Sequence, residues 1–169
     1  VVINGVSKCY AMTGWRIGYI AADAEIVKQV TKLQGQSTSS PCSISQAASI
    51  EALTGPHDDV KAMVRQFEKR RDIVVKMLTA IPGVTCNKPK GSFYSFPDFS
   101  GLYGKKDGNG KTLNGSLEFT EYLLTTKKVA IVPGIAFGAD NHARLSFAAS
   151  LDKIEEGIKR IQEAVELLQ

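Results

Sequence analysis

The chain has 169 residues, of which 43% are hydrophobic and 22% charged, and its formal net charge is +4. These values are typical of a soluble globular protein, and the basic runs are too short to indicate nucleic-acid binding. No apolar run reaches the about 18 residues of a membrane-spanning helix, and the three cysteines and two histidines lack metal-ligand spacing. We therefore expect a cytoplasmic protein with reduced thiols and without a metal, membrane or nucleic-acid partner.

Short strands and helices are predicted in the first third of the chain. Residues 1–4 are apolar and β-branched, which indicates a buried strand, and residues 16–22 indicate a second strand nearby. Asp23 can cap a helix that begins near residue 24, and its apolar positions follow helical spacing. Another helix is predicted over about 43–53, before the turn at 54–56.

The longest periodic segment begins after Asp58 or Asp59 and ends at the Pro-Gly pair at 82 and 83. A helix of that length would span roughly 36 Å and could bridge two domains, although a plain core helix is the alternative. Beyond it, strands are predicted at 83–86, 92–96, 129–132 and 144–148. Helices are predicted over 116–127 and, after a cap at Ser150 or Asp152, to the end of the chain. This pattern indicates a small α+β unit over roughly 60–169.

Two cations occur in a stretch otherwise suited to burial, residues 6–19, which reads VSKCYAMTGWRIGY. A lysine held away from water is easily deprotonated and then attacks carbonyl carbon, so Lys8 is a candidate nucleophile, with a solvated surface lysine as the alternative. Arg16 can bind a phosphate through two parallel hydrogen bonds. Together they offer what pyridoxal phosphate requires, one group for its aldehyde and one for its phosphate. Ser7 can add a hydroxyl to the phosphate or bond to local backbone.

Residues 4–19, NGVSKCYAMTGWRIGY, closely resemble the lysine segment of the class I/II aminotransferases, which are pyridoxal-phosphate enzymes of fold type I. The resemblance is strongest to the bacterial-type aspartate aminotransferase subgroup. It implies that Lys8 carries the cofactor and acts as the catalytic base, and that Ser7 and Arg16 bind the phosphate. A further serine often found in the family three positions before the lysine is Gly5 here.

The resemblance extends to the far end of the chain, where PGIAFG at 133–138 is followed by ARLSFA at 143–148. It implies that Arg144 receives the substrate α-carboxylate, for which the planar guanidinium fork is suited. In isolation, Arg144 would be an arginine on an exposed strand face. The segment KGSFYSF at 90–96 also resembles a family segment, but Phe93 and Tyr94 are given no role, because core packing explains them equally well.

The implied fold is α/β, in which residues 1–58 form the C-terminal part of the three-layer α/β/α large domain that binds the cofactor. Residues 59–169 would form the linking helix and a smaller α+β domain. The sequence lacks an initiator Met and begins inside a predicted strand, so we expect the chain to be the C-terminal part of a longer protein. The family is usually homodimeric, and the remaining cofactor contacts would lie upstream.

The implied reaction moves the amino group of an L-amino acid, with aspartate favoured, to 2-oxoglutarate. Aromatic, alanine and kynurenine or glutamine specificities remain open, as do the eliminations and ring closures of related cofactor folds. Outside catalysis, the chain could be an incomplete fragment that serves as a folding or dimerisation module. The 169-residue chain alone is expected to be inactive, since half of the cofactor site is missing from it.

Overall fold

The computed structural model describes all residues from 1 to 169. The chain divides into two compact units, residues 1–64 and 65–169, and the division falls within a long helix that contributes residues to both. The domain boundary predicted after residue 58 stays a prediction. None of the helices combines the length and apolar character needed to cross a bilayer.

The first unit begins with a two-stranded antiparallel hairpin. Strands β1 (Val2–Gly5) and β2 (Gly18–Ala21) pair from Val2 with Ala21 to Gly5 with Gly18. The predicted strands therefore form, but the expected burial of the first is wrong, because the side chains of Val2 and Ile3 are 59% and 79% exposed. An isolated two-stranded hairpin has no layer to cover its faces, and apolar character alone does not supply one.

Two helices complete the first unit. Helix α1 (Ala24–Ser37) begins as predicted after Asp23, whose carboxylate accepts a hydrogen bond of 3.0 Å from the backbone N–H of Glu25. Helix α2 (Ser43–Thr54) follows and ends at Gly55. Helix α3 (Asp58–Thr79) has 22 residues and runs on into the second unit. It is about 33 Å long at 1.5 Å per residue, so the predicted long helix is confirmed, ending two residues earlier than expected.

The second unit contains a three-stranded antiparallel sheet in the order β3-β5-β4, formed by β3 (Tyr94–Ser95), β4 (Val132–Pro133) and β5 (Ala143–Ser146). Two predicted strands are wrong in extent. Residues 83–86 supply only an isolated bridge between Thr85 and Asp98. Residues 129–131 lie outside the sheet, since the N–H of Val129 instead bonds to the carbonyl of Leu123 at the end of the preceding helix.

Helices α4 (Ser116–Lys127) and α5 (Leu151–Glu166) pack on one face of this sheet. Alternate residues of β5 and its continuation, Ala143, Leu145 and Phe147, belong to the same buried cluster as the apolar stripe of α5. The predicted stripe is confirmed, and its buried members are Ile154, Ile158, Ile161, Val165 and Leu168. Because side chains alternate along a strand, Arg144 and Ser146 are directed to the opposite face of the sheet.

Candidate active site

The first group of predicted site residues lies on one loop. The pairing of Gly5 with Gly18 closes the hairpin, so that residues 6–17 connect the two strands. Val6 is fully buried and its carbonyl accepts a hydrogen bond of 3.3 Å from the N–H of Tyr10, which anchors the start of the loop. Ser7, Lys8 and Arg16 are therefore presented by a single connection between paired strands.

Thr13 links two of these residues through the loop. Its hydroxyl donates to the carbonyl of Ser7 at 3.2 Å, and its own carbonyl accepts a hydrogen bond of 3.1 Å from Nη1 of Arg16. Arg16 has a φ of 56°, in the left-handed region, at the end of the single helical turn Thr13–Trp15. Sequence reasoning missed Thr13, although a threonine three residues before an arginine in a tight loop is a suitable local partner.

Lys8 is exposed, as is Arg16, whereas Ser7 is partly buried. Lys8 is therefore not held away from water within this chain, and the alternative of a solvated lysine describes its surroundings. The reason is local: Lys8 lies in a turn, where the N–H of Ala11 bonds to its carbonyl at 3.2 Å, and its neighbour Cys9 is exposed too.

The glycine in place of a family serine has a structural explanation. A Cβ atom at Gly5 would lie 3.0 Å from the carbonyl oxygen of Ile17 and 3.4 Å from Cα of Gly18. A serine could enter only if the backbone at Ile17, directly before strand β2, moved by a few tenths of an ångström. Gly5 therefore permits a close approach of the two strands at the base of the loop.

Arg144, the remaining predicted site residue, lies on β5 on the face opposite the core, and it is partly buried. Its guanidinium carbon, Cζ, is 4.3 Å from the ring centroid of Tyr94 and 4.8 Å from that of Phe137. The ion pairs of the chain do not include Arg144, so its charge is met by aromatic faces and not by a carboxylate.

More aromatic rings continue this surface. Phe96 meets Phe137 edge to face, with ring centroids 5.9 Å apart, and stacks on His142 at 4.8 Å. Nδ1 of His142 is buried without a hydrogen-bond partner. Sequence reasoning assigned no role to these rings; the spacing of two residues between Tyr94 and Phe96 within a predicted strand was the one signal that they share a face.

The loop that carries Phe137 is held by a buried serine. Ser116, at the start of α4, donates two hydrogen bonds to Oδ1 of Asp140, from its hydroxyl at 2.6 Å and from its N–H at 2.9 Å. These bonds hold the pKa of the Asp140 carboxyl below its usual value. The same hydroxyl accepts a hydrogen bond of 3.0 Å from the N–H of Ile135.

The glycine of the Pro-Gly motif has a steric role in this loop. A Cβ atom at Gly134 would overlap the carbonyl oxygens of Ala139 and His142, so only glycine fits. The motif thus brings the loop back close to the start of β5, next to Arg144.

The comparisons with known proteins agree with this fold. Residues 1–161 match the model of the family described as aminotransferase class I and II. The chain belongs to this family. A Rickettsia felis protein described as a probable aspartate/prephenate aminotransferase is 47% identical over 162 residues, which are 96% of this chain and 40% of that protein.

Solved structures are similar as well. The crystal structure of the aspartate aminotransferase from Rhizobium meliloti matches with a TM-score of 0.97 at 46% identity, over 99% of this chain and 42% of the other. An aromatic aminotransferase from Pyrococcus horikoshii matches with a TM-score of 0.87 at 34% identity, over 97% of this chain and 42% of the other.

The chain thus spans about two fifths of the length of the relatives that it matches (40% and 42% in the cases above). The predicted family and the predicted α/β fold class are confirmed. The roles assigned to Ser7, Lys8, Arg16 and Arg144 remain predictions.

Proposed function

We propose that the protein is a pyridoxal-phosphate-dependent aminotransferase that moves the amino group of L-aspartate to 2-oxoglutarate. The observation that carries this proposal is the set of hydrogen-bond donors that this member of the family presents. One loop holds the amine of Lys8, the hydroxyl of Ser7 and the guanidinium of Arg16, and a second guanidinium, that of Arg144, has no carboxylate partner within the chain. The chain spans 40% of the length of such relatives, so the activity belongs to a protein that also contains the remaining part.

The loop residues fit the cofactor by their chemistry. The primary amine of Lys8 suits an aldehyde carbon, and the guanidinium of Arg16 and the hydroxyl of Ser7 suit a phosphate. Arg16 donates to Thr13 through one terminal nitrogen, which leaves further N–H groups for a phosphate oxygen. When bound, pyridoxal phosphate supplies a covalent attachment point for the substrate amino group and a ring that takes up the electron pair left by Cα deprotonation.

Two residues of this chain would act on the substrate. Arg144 binds the α-carboxylate of the amino acid, and afterwards that of the oxo acid, through two parallel N–H donors. This contact orients the substrate, which removes much of the entropic cost of reaching a reactive geometry. Lys8 is the general base: its Nζ accepts the proton that leaves the substrate Cα.

Aspartate is the proposed donor because relatives named for aspartate are 46% and 47% identical to this chain. The Rickettsia felis relative is described as acting on prephenate as well, so prephenate is a second candidate amino acceptor. We further propose that the complete protein is a cytoplasmic homodimer, as is usual in the family.

The decisive test uses the complete protein, with its upstream part, loaded with pyridoxal phosphate. Aspartate should yield oxaloacetate with 2-oxoglutarate as acceptor, with prephenate offered in parallel and aromatic amino acids, alanine, glutamine and kynurenine as rival donors. Lys8→Ala should abolish turnover and the covalent attachment of the cofactor that borohydride reduction makes permanent. Lys28→Ala is the matched control, since it removes an exposed lysine that is paired only with Glu25.

An absence of oxo acid from aspartate would refute the proposed donor, and covalent attachment of the cofactor to the Lys8→Ala protein after borohydride reduction would refute the role of Lys8. The 169-residue chain alone should bind pyridoxal phosphate weakly, because its loop supplies the lysine and the phosphate contacts and no partner for the ring. Saturation of this chain at about micromolar cofactor would contradict that expectation.

A further inference from the structure

We propose that Tyr94 and Phe137 are positioning residues for Arg144, and that their ring faces set the affinity of this arginine for a substrate carboxylate. The inference rests on the proposed function, because it takes Arg144 as the carboxylate-binding group. It concerns two residues to which the sequence motif assigned no role.

The contacts are short and involve both rings. The Cζ atom of Arg144 lies 4.3 Å from the Tyr94 centroid and 4.8 Å from the Phe137 centroid, well within the range in which a cation is attracted by an aromatic face. The rings come from different elements: Tyr94 is on β3, which pairs with β5, and Phe137 ends the helical turn Gly134–Phe137. Two independent elements therefore restrict the same guanidinium.

Neither of these two rings belongs to the buried core of the second unit. Phe93 packs against the buried cluster of the second unit, whereas Tyr94, its neighbour, and Phe137 do not belong to that cluster. Phe137 is 48% exposed. A phenylalanine so exposed contributes little to burial, and its ring contacts Arg144 and Phe96. Phe93 thus packs on the core, whereas Tyr94 contacts both the Phe93 ring, at a centroid distance of 4.4 Å, and the guanidinium of Arg144.

The use of rings instead of a carboxylate has a chemical consequence. A guanidinium presents its N–H donors in the plane of the group, and a cation–π contact uses the face. Tyr94 and Phe137 can thus hold the group while its N–H edge stays available for two parallel bonds to a ligand. A protein carboxylate in the same place would use those donors and repel the anionic substrate. No ion pair in the chain includes Arg144.

The ring of Phe137 is itself in contact with a second aromatic ring. Phe96 meets its ring edge to face, at an interplanar angle of 87°, and Phe96 stacks in turn on His142. The bond from the N–H of Ile135 to the hydroxyl of Ser116 fixes the start of the same helical turn. Positioning of this kind lowers the loss of side-chain freedom when a carboxylate binds.

The test uses the complete, cofactor-loaded protein and two measurements: kinetics with aspartate, and binding of succinate, a dicarboxylate without an amino group. Phe137→Leu and Tyr94→Leu should raise the KM for aspartate and the Kd for succinate together, by about 3- to 30-fold. The value of kcat should change much less, because binding of the carboxylate is shared by the substrate and the transition state. Phe137→Tyr and Tyr94→Phe keep the ring faces and should retain wild-type values.

Ile135→Ala is the matched control: Ile135 is 54% exposed on the same turn, and the substitution removes apolar surface without a ring. Equal succinate affinity in wild type and both leucine variants would overturn the inference, as would an equal loss in Ile135→Ala. If the wild type binds succinate but does not turn over aspartate, the proposed function fails, and the succinate measurements alone still decide the roles of Tyr94 and Phe137.

Discussion

Replacement of Ser116 by alanine probes the connection between the core of the second unit and the loop beside Arg144. The side chain of Ser116 is fully buried, and its hydroxyl makes two hydrogen bonds, one to the Asp140 carboxylate and one from the N–H of Ile135. Alanine removes both and leaves the bond from the Ser116 N–H to Asp140, which is 2.9 Å long. The helix start is therefore still capped by Asp140 in the variant.

The expected cost follows from these two bonds. A typical hydrogen bond contributes about 0.5–1.5 kcal/mol, and the variant loses two of them. The variant leaves the Ile135 N–H without its only protein acceptor. We therefore expect the free energy of unfolding to fall by about 2 kcal/mol. Thr125→Ala on the same helix should change it by less than about 0.5 kcal/mol, because the Thr125 hydroxyl is bonded only to carbonyls of its own helix.

Urea denaturation of the 169-residue chain, followed by far-UV circular dichroism, measures the change in stability. Amide hydrogen exchange gives a local reading: the N–H of Ile135 should lose protection in Ser116→Ala and keep it in Thr125→Ala. Unchanged protection of Ile135 together with unchanged stability would show that the hydroxyl does not hold the loop, and the reasoning would be refuted.

Three further predictions concern the second unit. The pKa of the Asp140 carboxyl should lie below its usual value in an NMR titration and rise towards it in Ser116→Ala. The stability that Asp140 contributes is present above its unfolded pKa and lost as pH falls through the folded one. Tyr103 should titrate with a pKa of about 12, because burial and the nearby charge of Asp140 disfavour its anion. The stability that neutral Tyr103 contributes is lost as pH rises through that value. Difference spectrophotometry of wild type and Tyr103→Phe measures the ionisation of this phenol, and an ordinary phenol pKa would contradict the prediction. Leu123→Ala should cost about 2–5 kcal/mol in urea denaturation, because Leu123 is fully buried. Leu117→Ala, at a position 60% exposed on the same helix, should cost far less, and equal costs would show that burial is not the cause.

Local signals in the sequence predicted the helices well. The start of α1 at Asp23, the long α3 and the apolar stripe of α5 all depend on side chains within a few positions of one another. The strands were predicted less well, because a strand exists only where a partner pairs with it. Residues 83–86 have the composition of a strand and form only one bridge, to Asp98.

In the candidate site, too, the sequence predicted some features and not others. Lys8, Arg16 and Arg144 could be selected from the sequence, since the chemistry of each residue type and the local motif around it point to the same family. The exposure of Lys8 was left open between a shielded and a solvated lysine, because apolar neighbours in sequence do not establish a covering layer in space. Thr13 was missed because its contribution is a pair of hydrogen bonds, which form only when the loop is folded.

The amino-acid sequence by itself determined the family, the helices and the identity of the charged groups, since each of these depends on residues that are close together along the chain. Only the tertiary structure decided that Tyr94 and Phe137 meet on the guanidinium of Arg144, and that Ser116 binds Asp140. These contacts join residues from separate elements. Their geometry depends on strand register and helix packing, and these are set by the fold as a whole and not by any local propensity.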